Sequence, residues 1–341
     1  MRIVITGASG NLGSALLREL TGNDHEIIGV SRRAPAGPPA GVQWQPLDLS
    51  DPAAREDLVQ TFLGADAVVH LAWKIQPGHD EATQRLTNVI GADHVLTAAA
   101  TAQVPHLVVV SSVGAYSAGP KDREVGEEWP TEGVPSSVYG RHKAAVERLM
   151  DQFERDHPGT TLTRVRPALV FQAAAAGEIA RIFLGPLVPT GLVRRVRPPV
   201  VPLPGELVIQ AVHADDVATA VHTLLRTRAG GAFNVAAEPV LHPADLAHAL
   251  GGRRTGLPLA VLRGLADLTW RLRLQPTEPG WIDLAAGVPV MSTAKLRELG
   301  WRPRYTAVEA LDELLLALRG RKGDSRFPPL GSRRTDRSAN Y

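Results

Sequence analysis

The chain has 341 residues, 44% of them apolar and 21% charged, with a formal net charge of +2 and no cysteine. This is the composition of a soluble globular chain long enough for one large domain or two, and it excludes disulfides, thiolate chemistry and cysteine-ligated zinc. The charge is uneven: six Arg or Lys against two Asp from Gly320 onward give that end +4 and leave −2 for the rest. The body is therefore not basic, a nucleic-acid partner is not expected, and residues 320–341, rich in Arg, Ser, Pro and Gly, are expected to form a disordered basic tail. No apolar stretch approaches the roughly 18 residues that cross a bilayer, so no membrane partner is expected. A strand opens the chain at once and leaves no room for a signal peptide, which makes the cytoplasm the expected compartment.

Residues 2–6 (RIVIT) form a β-branched run suited to a buried strand, and they lead straight into TGASGNLG. In that turn Gly7, Gly10 and Gly13 let the main chain approach an anion closely, with Ser9, Asn11 and Leu12 between them. Leu12, Leu16, Leu17 and Leu20 then recur at helical spacing, which predicts a helix whose free N–H groups face the turn. Strand, glycine turn and helix in this order read as a cradle for a dinucleotide pyrophosphate.

A second strand is expected over residues 26–30. Sites that hold a ribose 2'-hydroxyl carry an acid about twenty residues beyond the glycines, whereas this chain has Ser31, Arg32 and Arg33 there. Two guanidiniums and a hydroxyl suit a 2'-phosphate through charge-assisted hydrogen bonds, so NADP is favoured, with NAD also admitted. Further strands are expected over 67–71, 107–111 and 162–166, alternating with helical segments. That alternation predicts an α/β fold, a Rossmann-type doubly wound parallel sheet. Gly7, Ser31, Leu71 and Ser112 fall at or just after strand carboxyl ends, where such sheets bind ligands.

Tyr139 and Lys143, written YGRHK, are four apart and so share one helix face. An ammonium held near a phenol lowers its pKa and fits it to exchange a proton with a carbonyl or alcohol near neutral pH. Beyond them Ala145, Leu149 and Phe153 could meet a second subunit or face the core, so a homodimer stays open.

After Phe171 the character changes, with proline-rich turns at GPLVPTG and VRPPVVPLPG and amphipathic helices at HPADLAHAL and TAVEALDELLLALRG. Residues 1–171 are thus expected as an NAD(P)-binding domain with returns to the sheet near 208–236, and 172–319 mostly as a smaller C-terminal substrate-binding lobe. Arg181, Arg194, Arg195 and Arg197 could clasp a diphosphate or form a solvated basic face. His213, Asp215 and Asp216 open a helix and are read as serving its start, not as a metal cluster.

The chain resembles the extended short-chain dehydrogenase/reductases of the NAD-dependent epimerase/dehydratase family. The resemblance rests on TGASGNLG, LDLSD, VVHLAW, NVIGADHVLTAA, VVVSSVGAYS, YGRHKAAVE, VRPALVF, VHADDVA and GAFNVA in that order. It implies that Asp48 and Leu49 flank an adenine, that Leu71 and Ala72 lie at the ribose and pyrophosphate, and that Ser112, Tyr139 and Lys143 surround the reacting carbon. Ser112 is chosen over Ser111 because it stands four residues before Tyr116, matching the family's serine-x-x-x-tyrosine run. Lys143 is expected to hold the nicotinamide ribose as well. Asn88 would complete a water-linked proton path or merely satisfy backbone, and Glu127, Glu128 and Trp129 are expected to line the pocket.

A dehydratase of this family would carry an acidic pair after the strand-end hydroxyl, but Val113 and Gly114 follow Ser112, so dehydration is disfavoured. The resemblance then implies an NAD(P)-dependent oxidoreductase acting with a small-molecule carbonyl or alcohol. A nucleotide-sugar epimerase with tightly held NAD is the alternative, and a non-catalytic cofactor-sensing or nucleic-acid-binding protein a second one. No metal is expected.

Overall fold

A computed structural model describes residues 1–35, 37, 39–75, 79–177, 179 and 198–320. The expected basic tail beyond Gly320 and the arginines at 181, 194, 195 and 197 lie outside the described residues.

The first five strands are β1 (Arg2–Thr6), β2 (Glu26–Ser31), β3 (Val42–Pro46), β4 (Ala67–His70) and β5 (His106–Val110). They join the strands Thr161–Pro167 and Gly231–Val235 in one seven-stranded sheet, every pairing of which is parallel. From edge to edge the order is β3, β2, β1, β4, β5, Thr161–Pro167, Gly231–Val235, so the chain reverses direction across the sheet between β1 and β4. A crevice opens at such a switch point, beyond the carboxyl ends of both strands.

Alternation along the strands builds two cores. Ile3 and Ile5 point to one face, where α1 (Asn11–Leu20) and the helix Ala214–Thr227 pack with Leu16, Leu17, Val217 and Leu224. Val4, Val68 and Leu107 point to the other, against α2 (Ala54–Phe62), α4 (Gly91–Thr101) and α5 (Val138–Asp156), with α3 (Glu81–Arg85) preceding α4. The edge strand β3 has no counterpart among the sequence expectations. It is mostly exposed, and its Trp44 ring would lie 2.8 Å from a Cβ placed on Gly29.

The segment VHADDVA supplies a strand, Ile209–His213, to a separate three-stranded sheet with Leu169–Phe171 and Ala237–Leu241. GAFNVA, by contrast, adds to the edge of the main sheet. His213 caps the following helix by accepting from the Asp215 N–H at 3.1 Å, while Asp216 accepts from the backbone of Arg304 and Tyr305. These acids are engaged in holding loops. Phe153 is buried in the second core, and the half-buried Ala145 and Leu149 pack against that core.

Glu147 is fully buried on α5. Arg166 meets it through Nε and Nη2, each at 2.9 Å, and Arg164 approaches at 3.3 Å. Arg166 also donates to the Tyr116 hydroxyl and to the Glu127 carbonyl, and Glu127 accepts from the Asn234 N–H. Glu127 and Trp129, the latter donating to the Ser117 carbonyl, therefore brace the scaffold, and neither is among the residues around the cleft described below. Removing one partner of a buried pair strands the other charge. Arg166→Met should lower the unfolding free energy by about 3–5 kcal/mol in a urea titration, and adding Glu147→Leu should restore most of that loss.

Candidate active site

At the end of β1 the chain turns at Gly7, whose φ of +74° is readily open only to glycine. A Cβ there would lie 2.5 Å from the Ala72 nitrogen, and one on Gly13 would lie 2.4 Å from the Gly7 carbonyl oxygen. The turn is thus packed directly on the residues following β4, where Leu71 donates to the Thr6 carbonyl. Gly10 caps α1 with no side chain accepting from the helix start, and no acid occupies the first turn. Exposed N–H groups with a favourable dipole and no competing carboxylate fit a pyrophosphate. Ser9 and Leu12 are half-buried in this turn. Asn11 is tied instead: its carbonyl and side chain both accept from Gln172, which is bound to Arg18.

Arg32 and Arg33 are exposed at the end of β2. The Ser31 hydroxyl is engaged locally, donating to the Arg33 carbonyl at 2.7 Å and accepting from the Trp44 indole at 3.0 Å. It shapes the turn beside the two exposed guanidiniums. Asp48 accepts from the Ser50 N–H and hydroxyl. Desolvation opposes ionisation there, but those bonds, aided by Arg32 and Lys74, hold its carboxyl below the usual range. Leu49 is buried against Gly91.

The expected catalytic residues come together. Ser112 stands just after β5, and its Oγ accepts from the Gly114 N–H at 3.0 Å. Gly114 lets the tyrosine approach, since a Cβ there would lie 2.7 Å from the Tyr139 ring. Ser137 caps α5, which places Tyr139 and Lys143 on its first turns. The Tyr139 pKa departs from the sequence expectation: burial pushes it up to about 12, with a hydrogen bond to Ser112 acting the other way. Lys143, 3% exposed, donates to the Val110 carbonyl at 3.1 Å, and its Nζ lies 5.9 Å from the Tyr139 ring centroid. Burial pushes Lys143 down to about 7, against the opposing charge of Glu147. Desolvation thus dominates at both groups. Ser111 is buried and helps Glu147 stay ionised.

Four residues outside the sequence expectations complete the surroundings. Trp73 lies with its ring centroid 3.5 Å from the Lys143 Nζ and meets the Tyr139 ring edge-on at 5.8 Å. Trp281 faces the tyrosine at 5.0 Å. Lys74 and Glu278 join Asn88, Tyr139 and Trp281 around a cleft. Asn88 sits in a π-helical turn, Leu86–Ile90, and both accepts from and donates to the Lys74 backbone at 2.7 and 3.1 Å; it fixes the cleft wall. Glu278 accepts from the Val138 N–H at 2.9 Å, and desolvation raises its pKa. Trp73 follows Ala72 directly and was open to recognition from its place after the strand. Glu278 sits in a turn between Pro276 and Pro279, and Trp281 at the start of the helix Gly280–Gly287, neither with a spacing signal.

A doubly wound sheet with a glycine turn at its switch point and a Ser, Tyr and Lys beside it defines a short-chain dehydrogenase/reductase type of architecture. The chain belongs to the NAD dependent epimerase/dehydratase family, which matches residues 3–236. A similar protein of Mycobacterium tuberculosis, itself uncharacterized, is 28% identical over 95% of this chain, yet the chain spans only 31% of that relative's length. A ketoreductase of Stigmatella aurantiaca, named for a 4-farnesyl-3,4-dihydroquinoline-1-oxide, is 30% identical over 51% of each chain. The dTDP-6-deoxy-L-talose 4-dehydrogenase (NAD(P)(+)) of Kitasatospora kifunensis is 30% identical over 54% of this chain and 63% of its own. Among solved structures, the Thermus thermophilus UDP-glucose 4-epimerase in complex with NAD has a TM-score of 0.67 at 23% identity, covering 94% of this chain and 99% of that one.

The burial of Lys143 has a measurable sign. Its folded pKa near 7 lies below the ordinary 10.5, so unfolding takes up a proton between those values and stability rises with pH across them. The unfolding free energy of the wild type relative to Lys143→Met should climb from pH 7 to 10.5 in denaturant titrations; a flat difference would contradict an ammonium held out of water.

Proposed function

We propose that the chain is an NAD(P)-dependent oxidoreductase that moves a hydride to or from a carbonyl or alcohol carbon, with Ser112, Tyr139 and Lys143 as catalytic residues and NADP as the preferred cofactor. The observation that carries this reading is Tyr139: its ring packs on Gly114, two residues after Ser112, it lines the cleft, and it stands one helical turn from a buried lysine. A nicotinamide, when bound, supplies or accepts the hydride. In the reducing direction Ser112 and Tyr139 hydrogen-bond the substrate oxygen, and Tyr139 gives it a proton as negative charge develops. The lysine steadies the phenolate that results. Gly7, Gly10 and Gly13 hold the pyrophosphate, Leu71 and Ala72 the adjoining ribose, and Asp48 and Leu49 the adenine.

Reduction is favoured over epimerisation by the exposed Arg32 and Arg33 at the end of β2, where no acid stands. NADP suits an enzyme that consumes its cofactor. The Tyr139 and Trp281 rings in the cleft wall suit a partly apolar ketone, in keeping with the ketoreductase among the relatives.

Tyr139→Phe should lower kcat about 10²–10⁴-fold while leaving NADPH affinity unchanged by fluorescence titration; full residual turnover would remove the tyrosine from the mechanism. Changing Arg32 and Arg33 together to Ala should weaken NADPH binding about tenfold to a hundredfold, from roughly 1.5–3 kcal/mol of lost charged hydrogen bonding, and leave NADH binding as it was. Turnover of a sugar nucleotide with no net cofactor consumption would decide for the epimerase.

A further inference from the structure

The helix Leu259–Arg271 is built inside out. None of its thirteen residues is buried, and the face carrying Val261, Leu265, Leu268 and Leu272 looks outward, with exposures of 47% to 60%. These positions are spaced four, three and four apart, the spacing of one continuous helical stripe, and Leu274, 52% exposed, extends it past the helix end. The opposite face is half-buried: Arg263 reaches Asp283 on the neighbouring helix Gly280–Gly287 at 2.9 Å, and Trp270 stacks on His79 at 4.4 Å. Contiguous outward leucines of this kind mark a surface that meets something apolar.

The charge around the stripe says what that is. Residues 252–275 hold Arg253, Arg254, Arg263, Arg271 and Arg273 against Asp267, a net +4 within a body that nets −2; Arg271 pairs at the surface with Asp267, and Arg263 with Asp283 outside this segment, each at 2.9 Å. Arg271 and Arg273 are exposed beside Leu272 and Leu274 at the end of the stripe. Two copies packed through this face would bring two +4 segments together, which like-charge repulsion opposes. A lipid surface with anionic headgroups meets both demands, accepting the leucines into its boundary and pairing with the arginines. Thirteen residues rise only about 20 Å, and no helix among the described residues is long and apolar enough to cross a membrane, so the helix would lie flat.

We propose that the helix Leu259–Arg271 docks this protein on an anionic lipid surface, with Val261, Leu265, Leu268 and Leu272 inserted and Arg271 and Arg273 at the headgroups. This revises the expectation of no membrane partner, which was read from the lack of a spanning segment. It is independent of the chemistry at Tyr139. The surface lies in the same lobe as the cleft, since the chain runs from the helix end directly to Glu278 and Trp281.

The test is flotation of the full-length protein with phosphatidylcholine vesicles, with and without phosphatidylglycerol. The protein should float with the anionic vesicles and not with the neutral ones. The charge-neutral pair Leu265→Ser/Leu268→Ser should weaken partitioning about tenfold or more, Leu265→Met/Leu268→Met should retain it, and Arg271→Gln/Arg273→Gln should weaken it. Far-ultraviolet circular dichroism and Tm should stay unchanged in all three. No flotation, or flotation that the serine pair leaves untouched, as attraction by the basic chain end alone would give, overturns the proposal. So does a dimer in sedimentation equilibrium that the serine pair dissociates.

Discussion

A carboxylate with no exposure to water, Glu147, stands one turn beyond Lys143 on α5 and is met by two arginines from the strand Thr161–Pro167. Such a group is costly to bury unless it is paired in full, and here Arg166 pairs with it through two nitrogens while spending a third on Tyr116 and Glu127. The consequence is rigidity in a particular place. The helix that carries Tyr139 and Lys143 is pinned in rotation and height against the sheet, so the phenol stays opposite Ser112 and Gly114. Catalytic geometry depends on tolerances of well under an ångström, and an ionic anchor within the same helix is a direct way to meet them.

The rest of the site follows from how closely the backbone is packed. At Gly7, Gly13, Gly114 and Gly280 a single added carbon would come within 2.2 to 2.7 Å of its neighbours. Gly7 seats the glycine turn on the residues after β4, and Gly13 lets the start of α1 close on that turn. Gly114 admits the tyrosine ring, and Gly280 lets the C-terminal helix settle on the backbone of Ser136 just before α5. Burial in this packed region then sets the chemistry, pushing the phenol up to about 12 and the lysine down to about 7.

The fold was legible because its central strands are continuous apolar runs and its turn residues are glycines with no other physical use. All five expected strands are present within a residue or so of the expected bounds. The edge strand β3 was not legible, since a strand that is mostly exposed carries little hydrophobic signal. At the site, Ser112, Tyr139 and Lys143 could be placed because strand ends and helical spacing converge on one crevice. The charge state of the pair could not be placed, because a spacing of four says nothing about desolvation. The bracing by Glu127 and Trp129 was illegible for a related reason: both stand in a loop before the tyrosine, and only the fold shows that they meet Arg166 and Ser117. Trp281 and Glu278 reach the cleft from the far end of the sequence, through lobe packing that no local pattern encodes.

Glu278 gives the two halves of the molecule a common joint. It arrives from late in the chain and accepts from the first N–H of α5, the residue next to Tyr139, so a distant segment seats the end of the helix that bears the phenol. Any tilt large enough to release the carboxylate leaves the Val138 N–H without its partner. The late segment and the start of α5 are thereby yoked, and a change in the seating of one is felt at the other.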